Sequence, residues 1–414
     1  MKIAYVTVRY GAGILGGAEQ ACRQLAEHLA ATGTTVEVHT TCATDAGTWA
    51  DDFPPGTTVE NGVTVHRHRV TSGRDPDFDR LSGAVFGGPA APGRELQERW
   101  LHLQGPVCPD AVAGAIGAGA DLVVATPYLF WPTVEATRRS DRVVLHPAAH
   151  DEGPIHLPVI AEAFTRARGL AYYTDGERRL VERLQPAIAT TPQLVVGLGV
   201  DPGAGADFEP AAFRADWDLG DRPYLLYVGR LDDGKGVRML SAFFAAYKRR
   251  HPGPLALVLA GAVVHPPDAH GDVIVTGPLS EEAKWSAMAG ASVFVNPSAN
   301  ESFSIVVLEA WSLTRPVMVN ARCPATVEHV RRSHGGVAFN GYAAFEVAVT
   351  RILGQPALAA AMGAAGRSYV VENFAWPVVI DRYRSWLERV ADPPGELRWS
   401  SAGSRSRSTT LDQS

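Results

Sequence analysis

Short runs of β-branched and other apolar residues alternate along this chain with longer stretches whose apolar positions recur every three or four residues. That alternation predicts strands joined by helices. Lys2–Val8 reads as a buried strand and Ala18–Thr32 as a helix with small or apolar residues at 18, 21, 22, 25, 26, 29 and 30. Thr34–Thr41 reads as the next strand. Gly33 stops the helix. Further strands are expected at Val63–Val70, Asp121–Pro127, Arg142–Ala148, Leu170–Asp175 and Gln193–Asp201, with helices over Arg94–Gln104 and near Gly176–Leu184. The rest of Ser72–Pro109 mixes glycines, prolines and charges, and reads as irregular.

The pattern then restarts. Strands are expected at Pro223–Arg230, Leu255–Ala262, Asp272–Pro278, Ser292–Ser298 and Val317–Val319. Helices are expected at Arg238–Arg250, Glu281–Ala289, Ile305–Leu313, Tyr342–Leu353 and Pro356–Val371. A last amphipathic helix over Phe374–Val390 is broken near Trp376–Pro377. Continuously apolar strands with helical crossovers belong to parallel sheets covered on both faces. The expected fold class is α/β, with two Rossmann-like doubly wound domains facing each other across a cleft. Pro202–Pro210, rich in Gly, Pro and Ala, is the natural linker. It divides the chain into residues 1–200 and 201–376. The Ser-, Arg- and Gly-rich stretch 399–414 is expected to be disordered.

Length agrees, since 414 residues exceed one ordinary core. Apolar residues at 46% and charged residues at 20% are those of a soluble globular protein. A formal charge of −6 argues against nucleic acid as a partner. No apolar run reaches the roughly 18 residues of a membrane span, and the first residues read as a strand with no leader. Cys22, Cys42, Cys108 and Cys323 are far apart without metal-ligand spacing. They fit reduced structural thiols of a cytoplasmic protein.

The most informative stretch is Asn296–Ala321, which reads as strand end, loop, helix and strand. Glu301 precedes the helix and Glu309 lies inside it, with seven residues between. Eight helical steps span roughly 12 Å and return to about the same side. Between the two acids lie the free N–H groups of the helix start, near Phe303, Ser304 and Ile305, which favour an anion. Carboxylate, anion seat and carboxylate suit a sugar nucleotide: hexose, diphosphate, ribose. Surface acids near a helix start are the ordinary alternative. On the loop after the strand at Pro223–Arg230, Arg230 and Lys235 lie beside Gly229, Gly234 and Gly236. Two cations there can clamp a diphosphate and stabilise it as it leaves, where a solvated turn is the plainer reading.

Two other patterns compete. Gly11, Gly13 and Gly16 fit G-x-G-x-x-G, a dinucleotide fingerprint, but His39, Thr40 and Thr41 stand where the ribose-binding acid is needed. His146, His150, Asp151 and Glu152 sit at the end of the strand Arg142–Ala148, where open α/β sheets place ligands. Four ligands on one short loop do not easily converge on a metal. His146 reads as a structural histidine and His150 as the one facing the crevice.

At these residues the chain resembles the retaining family-4 glycosyltransferases (glycosyl transferases group 1) of GT-B fold. The motifs are GGAE at Gly16–Glu19, HPAAHDE at His146–Glu152, GLGVD at Gly197–Asp201, GRLDDGKG at Gly229–Gly236 and NESFSIVVLEA at Asn300–Ala310. The resemblance implies that Arg230 and Lys235 hold the donor diphosphate and that Glu309 binds the ribose. It implies that Glu301 binds the hexose, with Phe303 and Ser304 lending N–H groups. His150 would sit near the anomeric carbon and, with Asp151 and Glu152, on the acceptor side. Gly16 and Gly17 would close over the donor, and the base would rest near Gly261 and Gly277–Leu279. The last helix, 377–391, would cross back onto the first domain. Ser304 departs from the family, which usually has glycine there.

By the same resemblance the donor configuration is kept, and no covalent nucleophile is evident. No Asp-x-Asp stands in a metal position, so no metal and no cofactor is expected. The expected partners are a nucleotide-diphospho-sugar donor and a sugar, lipid-linked or small-molecule acceptor. Peripheral contact with the inner face of the membrane and the oligomeric state stay open. The rivals are a nucleotide-sugar epimerase or hydrolase of the same fold, an NAD(P)-dependent oxidoreductase built on Gly11–Gly16, and a binding protein without turnover.

Overall fold

The computed structural model describes residues 1–14, 16–88, 92–205, 207–267 and 271–392; the stretch expected to be disordered at 399–414 lies outside them. The first sheet holds β1 (Lys2–Thr7), β2 (Thr35–Thr41), β3 (Gly56–Glu60), β4 (Val63–His68), β5 (Leu122–Thr126), β6 (Val143–Leu145), β7 (Gly169–Tyr172) and β8 (Gln193–Val195), in the order β3-β4-β2-β1-β5-β6-β7-β8. All its pairings are parallel except β3 with β4. The second sheet holds β9 (Tyr224–Val228), β10 (Ala256–Ala260), β11 (Val273–Gly277), β12 (Val293–Asn296), β13 (Val317–Asn320) and β14 (Gly336–Phe339), in the order β11-β10-β9-β12-β13-β14, all parallel. Both expected doubly wound domains are present.

Strands such as β5 and β10 are buried along their whole length, which explains why they read as unbroken apolar runs. Most strands expected from sequence overrun those observed, by one or two residues at each end in β5, β9, β10, β11 and β12 and by six at the end of β8. The hairpin β3–β4 was not expected. Its turn is Asn61-Gly62, both at positive φ (48° and 82°), a sequence signal for such a hairpin. Ser72–Pro109 carries a helix at Phe78–Phe86 besides the one at Arg94–Gln104.

The last helix, Trp376–Ala391, returns to the first lobe. Tyr383 lies 3.3 Å from the Tyr5 hydroxyl and 3.1 Å from His146 Nε2, and Arg168 donates to the Val390 carbonyl at 2.8 Å. Trp376 stacks on His28 with ring centroids 3.8 Å apart. Across the cleft, Glu328 accepts from the Gly176 N–H at 2.9 Å and pairs with Arg179 at 3.1 Å. The four cysteines are free and buried. Among the described residues no single helix is long and apolar enough to cross a membrane.

Candidate active site

A cavity of about 530 Å³ opens between the lobes. Its first-lobe wall is the N-terminal part of the helix Gly17–Ala31, with Gly17, Gln20 and Gln24. Its second-lobe wall combines Gly229 and Lys235 with Glu301, Phe303, Ser304, Ile305 and Glu309. A second cavity, of about 430 Å³, adjoins it and is lined by His150, Asp151, Glu177 and Arg322. Glu301 and Ser302 line both.

The second-lobe wall is built by backbone constraints. Lys235 ends a short 3-10 turn whose start Asp232 caps by accepting from the Lys235 N–H at 2.9 Å. Gly236 follows at φ +73°, and a β-carbon there would strike the Pro297 carbonyl. That close approach brings the turn against the loop that carries Glu301. Lys235 Nζ then donates to Glu301 Oε1 at 2.8 Å.

The helix Ile305–Ser312 starts at Ser304, which takes a left-handed conformation at φ +69°. A residue with a β-carbon is strained there, which is where the resemblance implies glycine. The Ser304 hydroxyl is also engaged, since it accepts from Asn296 Nδ2 at 2.6 Å. Ile305 and Val306, at the start of this helix, line the cavity, and the free amides of a helix start favour an anion.

Glu309 lies one helical turn further in, with a side chain 14% exposed. Lys284 Nζ donates to its Oε1 at 3.1 Å, and Glu281 holds the same lysine at 2.8 Å. Glu309 Oε2 is buried without a partner. Burial pushes the Glu309 carboxyl above its ordinary range, against the pull of Lys284. A buried carboxylate oxygen with no donor costs stability unless a ligand hydroxyl supplies one.

The first-lobe side of the adjoining cavity is more exposed. His150 Nε2 lies 3.3 Å from Glu152 Oε2, and Tyr128 donates to Glu152 Oε1 at 2.8 Å. The hydrogen bond to Glu152 raises the His150 pKa above 6.5, while burial and the Lys235 charge oppose it. Asp151 pairs with His156 at 2.8 Å. Beneath this loop Glu177 accepts from the Ala149 and Tyr173 N–H groups, both at 2.7 Å, and burial pushes its carboxyl up to about 7. His146 points into the core against Tyr383, so the HPAAHDE loop does not gather its acids and histidines at one point.

The structure thus brings together Gly17, Gly229, Lys235, Glu301, Phe303, Ser304, Ile305 and Glu309, with His150, Asp151 and Glu152 alongside. It separates others. Arg230 is 63% exposed and bound to Asp232, off the cavity wall. Gly16 sits one residue behind Gly17, where a β-carbon would collide with the Glu19 carboxylate held by Arg9. Gly277 accepts from the Gly261 N–H at 2.9 Å and, with Leu279, lies outside the lining. Sequence reading missed Lys284, which only the fold brings to Glu309, and Glu177. For Glu177 the Thr174 cap, which accepts from the Glu177 N–H at 3.1 Å, was a local signal of a helix start at the crevice.

Two parallel sheets with a helix crossing back and a cleft lined from both sides define the GT-B class. Solved structures agree on that fold. The sucrose-phosphate synthase of Thermosynechococcus elongatus superposes with a TM-score of 0.69 at 21% identity, over 94% of this chain and 98% of that one. An Anabaena protein in complex with UDP and glucose superposes with a TM-score of 0.68 at 15% identity, over 94% and 99%. In sequence, the chain is 28% identical to the GDP-mannose-dependent alpha-(1-6)-phosphatidylinositol monomannoside mannosyltransferase of Mycolicibacterium smegmatis, over 68% of this chain and 74% of that protein. Residues 222–355 match the family described as glycosyl transferases group 1. The chain is a glycosyltransferase of GT-B fold that uses a nucleotide sugar.

Proposed function

We propose that this protein is a retaining, metal-independent hexosyltransferase acting in the cytoplasm on a hydroxyl of a glycan, lipid-linked or small-molecule acceptor. The observation that carries the reading is the position of Glu301. It lines both cavities and is held by Lys235, so a sugar resting on it has its diphosphate toward Lys235 and its open face toward His150. The inter-lobe cavity takes the donor, with Glu309 Oε2 accepting from the ribose hydroxyls. The adjoining cavity takes the acceptor.

The chemistry follows from that arrangement. The bond from the anomeric carbon to the diphosphate breaks, and the acceptor oxygen bonds to that carbon on the same face. The acceptor's proton passes to the departing phosphate oxygen. Lys235 and the amides at the start of the helix Ile305–Ser312 neutralise the leaving group, the largest contribution that such a site supplies. Glu281, Glu301 and Glu309, the carboxylates of the donor cavity among the described residues, are each paired with a lysine. That pairing supports a reaction in which lysine replaces a divalent cation and no carboxylate attacks. Reduced, buried cysteines support the cytoplasmic setting.

A thermal-shift panel tests the reading. The ligands are GDP, UDP, ADP and TDP, their hexoses, and NAD(P). One nucleoside diphosphate and its sugar raise the Tm, by an amount that corresponds to about 2.7 kcal/mol at a hundredfold excess over Kd. A shift with NAD(P) and none with any sugar nucleotide would overturn it. Full-rate donor consumption without acceptor would favour the epimerase or hydrolase instead.

A further inference from the structure

On the face of the first sheet turned away from the helix Gly17–Ala31, three side chains of β2 and β4 converge. Val36, Val38, Val63 and Val65 point into the core shared with that helix, so Glu37, His39 and His66 point the other way. His39 and His66 are register partners, and their rings stack with centroids 4.5 Å apart. Glu37 Oε2 lies 3.9 Å from His39 Nε2 and 4.0 Å from His66 Nε2. One ligand atom from each residue falls within 4.8 Å of the others.

The remaining atoms of these three groups are already occupied. Glu37 Oε1 is held by Lys2 Nζ at 2.7 Å, which leaves Oε2. His66 Nδ1 is bonded to the Thr57 hydroxyl at 2.9 Å, which leaves Nε2. His39 Nδ1 lies 3.3 Å from His68 Nε2, which leaves its own Nε2. His39 is 5% exposed, and that Nε2 is buried with no partner. The cost of such an orphan calls for a ligand. The helix Pro109–Gly117 passes directly over the ring at Gly114, where a β-carbon would run into it. The closeness of that helix fixes the ring.

We propose that Glu37, His39 and His66 bind a divalent cation of the zinc class, through His39 Nε2, His66 Nε2 and Glu37 Oε2. Two imidazoles and one carboxylate suit zinc, cobalt or nickel better than calcium or magnesium. Zinc bonds of about 2.0–2.2 Å in a tetrahedron place ligand atoms roughly 3.3 Å apart. The observed separations close to that with movements under about 1 Å. Thr57, His68 and Lys2 are the outer partners that orient the ligands, as metal sites require. None of these residues lines either cavity of the active site, so the ion is structural: it ties the hairpin β3–β4 to the sheet.

The test uses the full chain, freed of metal with a chelator and dialysed. It is titrated with Zn²⁺ by calorimetry and with Co²⁺ by visible absorption. The expected result is one equivalent bound, a d–d spectrum of nitrogen and oxygen ligation, and a Tm raised by Zn²⁺. His66→Ala and Glu37→Gln each weaken binding by tenfold or more. Thr57→Val, which removes only an outer partner, weakens it roughly tenfold. Glycosyl transfer is unchanged in all three variants. Absence of stoichiometric binding overturns the proposal. So does an equivalent bound with wild-type affinity in His66→Ala and Glu37→Gln, because the ion then sits elsewhere. Thr57→Val keeps the measurement decisive should a ligand variant not fold.

Discussion

The two walls of the cleft are built on different principles. On the second lobe every acid among the described residues that lines the inter-lobe cavity is matched to a lysine, and the supporting loop is pinned by a left-handed residue and by a glycine touching a backbone carbonyl. On the first lobe the adjoining cavity is faced by a loop of histidines and acids, with His150 41% and Asp151 60% exposed. Under the proposed function, the rigid wall suits the diphosphate between two sugars. Under the same reading, the open wall suits the acceptor. Preorganisation is worth most where charge develops, and the wall with the fixed lysine is the one proposed to hold the leaving group.

That contrast can be broken most sharply at Lys235. Lys235→Ala removes the cation beside the leaving group and strands the Glu301 carboxylate, so kcat/KM should fall by about 10²–10³. Steady-state rates at wild-type level would show that the rigid wall is not where the charge is stabilised. The next largest effect is expected at Glu309. Glu309→Gln keeps the shape and removes the charge that accepts a ribose hydroxyl, so the donor's KM should rise roughly tenfold with kcat little changed. An unmoved KM would mean that Glu309 does not touch the donor.

The smallest effect tests the open wall. Glu152 holds the His150 imidazolium to a pH above the ordinary 6.5. The stability gained from that pair is therefore complete below 6.5 and is lost as pH rises through the folded value. In Glu152→Gln the His150 limb of the pH–rate profile should move to lower pH, and stability at mildly acidic pH should drop. An NMR titration of His150 that is identical in both proteins would remove Glu152 from its account.

Much of this was legible in sequence because the local pattern and the fold agree. Buried parallel strands announce themselves as apolar runs, and the helix Ile305–Ser312 begins within one residue of where its composition begins. That Lys235, Glu301 and Glu309 share one cavity could be read because each lies on a short segment whose geometry is local. The placing of Arg230 off that cavity could not, since it follows from an ion pair with Asp232 two residues on. Lys284 and the group of Glu37, His39 and His66 depend on side-chain proximity between separate elements. No spacing along the chain encodes it. For the histidines the missing knowledge was the register of β2 against β4, and for β4 the Asn61-Gly62 turn was the one available clue.

The helix Trp376–Ala391 closes a circle between the first strand and nearly the last described residue, through Tyr5 and Tyr383. Emerging from the ribosome, the first lobe stays unfinished until the whole second lobe has been synthesised. Anyone recombining lobes between transferases must therefore cut twice, once after the GLGVD turn and again ahead of Trp376. A single crossover would leave a foreign helix against His146 and His28.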